Sequence, residues 1–176
     1  MNTAGVIGLG DMGSGLAKNL IKNDFFVTGA DLLPHRQRAF RDMGGQLCRS
    51  PSEVGCDAGA VFIMVMTGEE VKNVIFGDDG LLTSMPKGSA IILSATIKPQ
   101  EAREIGALMV GSGIDLIDTP VSGGFPGAQS GSLTLMAAAP DSTLDAFLPY
   151  LEAVSANIHR VGDKPGDGQT VKACLQ

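Results

Sequence analysis

Nine residues from Ala58 to Met66 are apolar almost without interruption. They are about half of the roughly 20 that a membrane-spanning helix needs. A run this short and this uniform suits a strand buried on both faces, the kind found at the centre of a parallel sheet with helices on either side. The segments around it fit that setting. Short apolar runs at Ala4 to Gly8, Phe25 to Ala30, Ala90 to Leu93, Ile114 to Ile117, Leu133 to Ala137 and Ile158 to Val161 read as strands. Between them lie helical stripes. Met12, Leu16 and Leu20 fall four apart with Ile21 beside them, and Ala102, Ile105 and Met109 follow a helix-starting Pro99. Pro34 to Met43, Glu69 to Phe76 and Asp141 to Leu151 supply further helices. Strand and helix alternate, which means βαβ units and an open, mostly parallel α/β sheet.

Two stretches fit neither period. Thr119 to Ser132 holds four glycines and two prolines, too many for the interior of an element. Gly162 to Gly168 is a second glycine-rich loop, leading to a helix start at Gln169. The sequence stops about two turns into that helix, which suggests further residues beyond Gln176.

Composition sets limits on function. A chain of 176 residues with 44% apolar content can bury one sizeable core. There are 13 basic and 19 acidic residues, net −6, which gives no footprint for a polyanionic nucleic-acid partner. Cys48, Cys56 and Cys174 are odd in number and widely spaced, so they read as reduced thiols in a cytoplasmic setting. His35 and His159 have no nearby cysteine pair, and no metal site is expected. No basic stretch leads into an apolar cleavage segment at the N-terminus, so secretion and membrane anchoring are not expected either.

Three motifs carry chemistry. Gly8-Leu9-Gly10-Asp11-Met12-Gly13 matches G-x-G-x-x-G between a strand and a helix. In that context the first glycine permits a tight turn, the second admits a pyrophosphate to the backbone, and the third lets helix and strand pack closely. The helix N-terminus then offers free N–H groups to the phosphates. Asp31 closes the second strand eighteen residues after Gly13. A carboxylate there accepts ribose hydroxyls and repels a 2′-phosphate, so NAD is favoured over NADP. The second motif is Asp118-Thr119-Pro120-Val121-Ser122-Gly123-Gly124, followed by Gly127-Ala128 and Gly131. Its adjacent glycines suit a nest of N–H groups for a carboxylate, with a hydroxyl from Ser122, and equally suit a loop that needs positive φ several times. The third is Gly166-Asp167-Gly168-Gln169-Thr170-Val171-Lys172. Lys172 falls near the first helical turn, with Gln176 four residues on along the same face. A helix N-terminus disfavours a nearby cation and would make Lys172 a better proton donor and acceptor. Taken alone, a single lysine of this kind reads by default as a solvated surface residue.

Together the three motifs resemble the β-hydroxyacid dehydrogenase family, which includes 3-hydroxyisobutyrate dehydrogenase, tartronate semialdehyde reductase and threonate dehydrogenase. The family's G-L-G-x-M-G-x-x-M-A-x-N-L matches Gly8 to Leu20 except for Leu16. Its D-x-P-V-S-G-G-x-x-G-A-x-x-G-x-L-T-x-M matches Asp118 to Met136, and its G-x-G-x-x-x-K matches Gly166 to Lys172. Val65-Met66 stands where the family usually has Leu-Pro beside the nicotinamide ribose, and Thr96 lies in a segment whose threonine contacts cofactor. Asp24 replaces a usual glycine, and Gly29 replaces a valine-type residue. Ala138-Ala139 and Leu175-Gln176 also depart from the family pattern, the latter in a manner similar to threonate dehydrogenases.

The resemblance implies a Rossmann-type domain over residues 1–166 and the start of an interdomain helix over 167–176. A helical C-terminal domain, absent here, would close the cleft and build a homo-oligomer. It further implies that NAD is held by Gly8, Leu9, Gly10, Asp11, Met12, Gly13, Asp31, Val65, Met66 and Thr96. A small hydroxy acid is held by Ser122, Gly123, Gly124 and Gln176, and Lys172 is the catalytic residue. Two alternatives stay open: an NADP enzyme like 6-phosphogluconate dehydrogenase, and a non-catalytic NAD-binding or interaction module on the same scaffold. The chain alone is expected to be nearly inactive, because its final helix lacks packing partners and should fray.

Overall fold

The computed structural model describes residues 2–175. The chain begins with β1 (Thr3–Ile7), α1 (Asp11–Lys22), β2 (Phe26–Ala30), α2 (Pro34–Asp42), β3 (Gln46–Leu47) and α3 (Pro51–Gly55). It continues through β4 (Ala60–Ile63), α4 (Gly68–Phe76), a 3₁₀ turn (Leu81–Thr83), β5 (Ala90–Leu93), α5 (Pro99–Met109) and β6 (Asp115–Asp118). The remainder is β7 (Val121–Ser122), α6 (Gly124–Ser130), β8 (Leu133–Ala138), α7 (Asp141–Ala146), α8 (Leu148–Glu152), β9 (Ser155–Gly162) and α9 (Asp167–Cys174).

Strands β3, β2, β1, β4, β5 and β6 lie side by side in that order, all parallel. Strand β8 then runs antiparallel, pairing with the end of β6 through Asp118 and Ala138 and with β7 through Val121 and Leu135. On its other side β8 pairs parallel with β9. The order reverses at β1, where the first two βαβ crossovers leave in opposite directions and open a crevice above the strand ends.

The two faces of the sheet bury separate apolar clusters, and the strands divide their side chains between them with period two. In β4, Ala60 and Phe62 join Leu16, Leu20 and Phe40 on one face, while Val61 and Ile63 join Val54, Val71 and Ile75 on the other. Strand β5 divides in the same way, Ala90 and Ile92 against Ile91 and Leu93. This double burial is why the run around β4 shows no polar alternation.

Several details differ from expectation. The region 119–132 is not an unstructured loop: it holds β7 and the helix α6, whose sequence is GFPGAQS. Tertiary contact supports this helix against poor propensity, as described below. The helix expected from Asp141 to Leu151 divides into α7 and α8 at Phe147, because Pro149 takes a first-turn position where its missing N–H does no harm. Asp24 adopts φ 63°, a left-handed conformation that glycine takes freely and aspartate tolerates better than most residues. Gly29 leaves room for the Phe40 ring, which would lie 2.8 Å from a Cβ there.

Candidate active site

The glycine loop, Asp31, Val65-Met66 and Thr96 follow the carboxyl ends of β1, β2, β4 and β5, while Ser122 lies in β7 just beyond β6, and Lys172 lies on α9, which follows β9 and is tied back to Asp118 at the end of β6. Gly8 turns out of β1 with φ 88°, and a Cβ there would stand 2.3 Å from the Met64 carbonyl. A Cβ on Gly13 would stand 1.7 Å from the Gly8 carbonyl. The loop therefore folds back onto its own helix at backbone contact distance, which only glycine permits. Gly10 is the N-cap of α1 and contributes no side-chain cap, so the first-turn N–H groups stay available to an anion. Asp11 is exposed in that first turn, Met12 is half-buried, and Leu9 is buried.

Asp31 follows β2 and its carboxylate is pinned. Oδ2 accepts from the Leu9 N–H at 2.7 Å and Oδ1 from the Leu33 N–H at 2.8 Å. This ties the glycine loop to the strand end where a ribose would lie. Arg36, in the first turn of α2, pairs with Asp31 Oδ2 at 3.4 Å. Its guanidinium would lie 3.3 Å from a Cβ on Gly10, so it rests over the mouth of the loop.

Met66 and Thr96 come together across the ends of β4 and β5, on the wall of a cleft of about 430 Å³ that Gln169 and Ala173 of α9 also line. Met66 is held by the start of α4. Thr67 Oγ1 caps the Glu70 N–H at 3.1 Å, and Glu70 Oε2 accepts from the N–H groups of Met66 and Thr67 at 2.8 and 3.1 Å. Val65 is half-buried beneath it.

Ser122, Gly123 and Gly124 are exposed where β7 meets α6. Gly123 and Gly124 both have positive φ, 121° and 57°, the backbone form that turns successive N–H groups into one concavity. What supports this turn is a residue not singled out by sequence: Asn19 of α1, 4% exposed. Its Nδ2 donates to the Gly15 carbonyl at 2.8 Å and to the Ala128 carbonyl at 2.7 Å. A Cβ on Gly15 would meet the Ala128 backbone at 2.6 Å, so α1 and α6 touch backbone to backbone. The glycine-loop helix and the Ser122 turn are thereby one packed unit. A polar residue on the apolar stripe of α1 was the available signal.

Lys172 is half-buried on α9. The helix begins at Asp167, two residues earlier than expected, which moves Lys172 beyond its first turn into its last. The start of the helix at Asp167 therefore lies more than a turn away from this residue. That start is not loose. Asp118, fully buried, accepts from the Gly166 and Gln169 N–H groups at 2.8 and 3.2 Å. Burial pushes the Asp118 carboxyl above its ordinary value, while these hydrogen bonds pull it down. Gln176 lies outside the described residues. Among the described residues no cluster of three potential metal ligands occurs, and no helix is long and apolar enough to cross a membrane.

Comparison with known proteins agrees with this geometry. Residues 3–162 match the family model for the NAD binding domain of 6-phosphogluconate dehydrogenase. An L-threonate dehydrogenase from Cupriavidus necator is 36% identical over 172 residues, covering 98% of this chain and 58% of that protein. The crystal structure of a 3-hydroxyisobutyrate dehydrogenase from Salmonella typhimurium superposes with a TM-score of 0.94 at 34% identity, over 99% of this chain and 61% of that one. A Mycobacterium tuberculosis 3-hydroxyisobutyrate dehydrogenase with L-serine gives 0.93 at 34% identity, over 99% and 59%. The chain thus spans somewhat under two thirds of the length of these relatives. An imine reductase from Myxococcus stipitatus, 18% identical with a TM-score of 0.92, shares the fold. With a Rossmann-type sheet, a glycine loop at its switch point and a matching family model over nearly its full length, the chain belongs to the family of NAD-binding domains of the 6-phosphogluconate dehydrogenase type, among relatives named as hydroxyacid dehydrogenases.

Proposed function

We propose that this chain is the cofactor-binding part of an NAD-dependent oxidoreductase acting on a small β-hydroxy acid of the 3-hydroxyisobutyrate, glycerate or threonate type. One observation carries the reading: buried hydrogen bonds gather the candidate segments, Asn19 tying the glycine-loop helix to the helix after the Ser122 turn, and Asp118 and Gln169 tying the Lys172 helix to the end of β6 and to the 95–97 segment containing Thr96. Gly8 to Gly13 and Asp31 would hold the dinucleotide, with Val65, Met66 and Thr96 at its nicotinamide end. NAD when bound supplies the hydride acceptor. The Ser122–Gly123–Gly124 nest holds the substrate carboxylate, joined by Gln176. Lys172 Nζ takes the proton from the substrate hydroxyl as the carbon is oxidised, and returns it in the reverse direction.

The pinned Asp31 carboxylate favours NAD over NADP and weighs against a 6-phosphogluconate-type preference. A purely binding module would not need Lys172 beside a substrate nest. The partner is a small acid, not nucleic acid or membrane, in keeping with net −6. Three free cysteines support a cytoplasmic setting. We assign 1–166 to the cofactor domain and 167–176 to the start of an interdomain helix, with self-association through the additional length that the relatives possess.

The test is a panel of hydroxy acids assayed with NAD, using this chain alone and fused to the remaining C-terminal part of the Cupriavidus threonate dehydrogenase. The chain alone is expected to turn over slowly, because an open cleft admits water and weakens the local electrostatics. In the fusion, Lys172→Ala should lose about 10²- to 10⁴-fold in kcat and keep its NADH affinity. Turnover by the Lys172→Ala fusion within a few-fold of the parent would return this residue to an ordinary surface lysine.

A further inference from the structure

We propose that Asp118 and Gln169 are positioning residues that set where Lys172 stands relative to the nicotinamide pocket; the inference rests on the reading of Lys172 as the proton-transfer group. Neither side chain reaches solvent, with exposures of 0% and 1%. Gln169 Oε1 accepts from the Ile97 N–H at 3.1 Å, while Nε2 donates to the Ala95 carbonyl at 3.0 Å and to Asp118 Oδ1 at 2.9 Å. The two backbone groups of the 95–97 segment fix the sense of the carboxamide, since a flipped amide would set N–H against N–H and oxygen against oxygen. Nε2 must therefore donate towards residue 118. The other oxygen of Asp118 accepts two further N–H groups, from Gly166 and Gln169. Every group facing Asp118 in this set is a donor, so a carboxylate fits and a carboxamide does not.

The arrangement is a helix cap supplied from a distant strand. Gly166, the N-cap of α9, has no side chain, and Asp118 at the end of β6 satisfies N–H groups that a local serine or aspartate would ordinarily take. The first turn is also pressed against the sheet: a Cβ on Gly168 would meet the Met136 carbonyl at 2.6 Å and the Asp118 carbonyl at 2.9 Å. Three segments thus share one buried knot. They are the 95–97 segment containing Thr96, the Asp118 end of the strand leading to Ser122, and the helix carrying Lys172. Lys172 lies three residues beyond Gln169, the spacing of neighbours on a helix surface. A tilt of α9 about this knot moves the ammonium relative to both pockets. A burial this costly for a charge is excessive for ending a short helix and suits fixing a direction.

The variants are Asp118→Asn, which turns one acceptor into a donor, and Gln169→Met, which keeps volume and removes all three bonds. Gln169→Met decides the matter if Asp118→Asn fails to fold. The first readout is the ¹³Cε resonance of Lys172 in lysine-labelled protein, assigned through Lys172→Arg, with and without NADH. In the parent it should be a single line that shifts on NADH addition. In the variants it should broaden or stop responding, while the other lysines and the NADH affinity hold to within about threefold. The second readout is kcat in the fusion, expected to fall about 10- to 100-fold at little-changed KM, the scale that a misplacement near 1 Å produces. An unaltered, NADH-responsive Lys172 line in Gln169→Met overturns the proposal. So does a general loss of stability in which KM rises while NADH affinity and kcat fall together. If Lys172→Ala keeps its turnover, the reading of Lys172 fails instead, whatever these variants do.

Discussion

The cofactor end and the substrate end of this sheet are held by different forces. Around β1 and β2 the structure relies on backbone approach: Gly8 and Gly13 fold the loop within contact of its own carbonyls, and one carboxylate, Asp31, ties loop to strand. Around β6, β7 and α9 it relies on buried side-chain hydrogen bonds, with Asn19 and Gln169 donating and Asp118 accepting. The first arrangement leaves little freedom for sequence change, since any added atom collides. The second adds to its own close backbone contacts at Gly15 and Gly168 the donor and acceptor pattern of a few buried side chains, so it can fail through chemistry where size is unchanged.

The largest effect should follow from Gly13→Ala. Its Cβ would stand 1.7 Å from the Gly8 carbonyl, with backbone on both sides of the contact. Nothing there can rotate away, so the destabilisation should reach or exceed the upper end of the about 1–3 kcal/mol usual for overpacking. NADH titration should show binding lost, and urea denaturation should show the stability falling with it. A variant that binds NADH as tightly as the parent would mean the loop is looser than backbone contact implies.

At the other end the same logic predicts an ordering by chemistry. Asn19→Ala removes donors from the Gly15 and Ala128 carbonyls, at a cost of about 1–3 kcal/mol for unsatisfied buried groups. Asn19→Asp is nearly isosteric, yet it places an acceptor against two acceptors and should be worse than alanine. Urea denaturation of both variants checks the order, and hydrogen exchange should localise the damage to residues 121–131. An aspartate variant as stable as the parent would show that size alone matters here.

This contrast also explains what could be read from the chain beforehand. Seven of the nine described strands, the glycine turn after β1 and the place of Asp31 at a strand end were legible because each leaves a periodic or spaced signature, while the two-residue β3 and β7 leave none. Double burial of β4 is written as an unbroken apolar run, and backbone contact is written as glycine at fixed intervals. Helix α6 was not legible, because GFPGAQS has two glycines and a proline and is helical only through its backbone contact with α1. The anchoring of α9 was hidden for a similar reason. Its cap comes from Asp118, 48 residues before Gly166, and local propensity predicts fraying where tertiary bonds supply order. Arg36 carried no signal beyond a single charge near Asp31.

A smaller effect is expected at the adenosine end. Asp31→Ser removes the charge that repels a 2′-phosphate and releases Arg36 from its ion pair. Arginine then stands free to meet a phosphate with parallel N–H bonds. The ratio of NADH to NADPH affinities should fall by about tenfold, equivalent to about 1.4 kcal/mol. NADH itself should also weaken somewhat, since the Leu9 and Leu33 amides lose their acceptor. Parallel calorimetric titrations with both cofactors decide it, and an unchanged ratio would place the selectivity elsewhere than in Asp31.

The smallest effect concerns pH and returns to the substrate end. Burial raises the Asp118 carboxyl above its ordinary value, and the hydrogen bonds from Gly166 and Gln169 offset that only in part. The folded chain therefore binds this proton more tightly than the unfolded chain does. A group raised in this way contributes stability that is fully present below its unfolded value and lost as pH rises through its folded value. Acid denaturation of the whole chain would mask so small a contribution, so the useful quantity is a difference. Asp118→Asn lacks the titration, and the stability of the parent minus that of the variant should grow as pH falls from 7 towards 4. Urea denaturation of both proteins at several pH values across that range measures it. A difference that shrinks on acidification would mean the donors around Asp118 outweigh its burial, and that the carboxylate is more stabilised in the folded chain than in water.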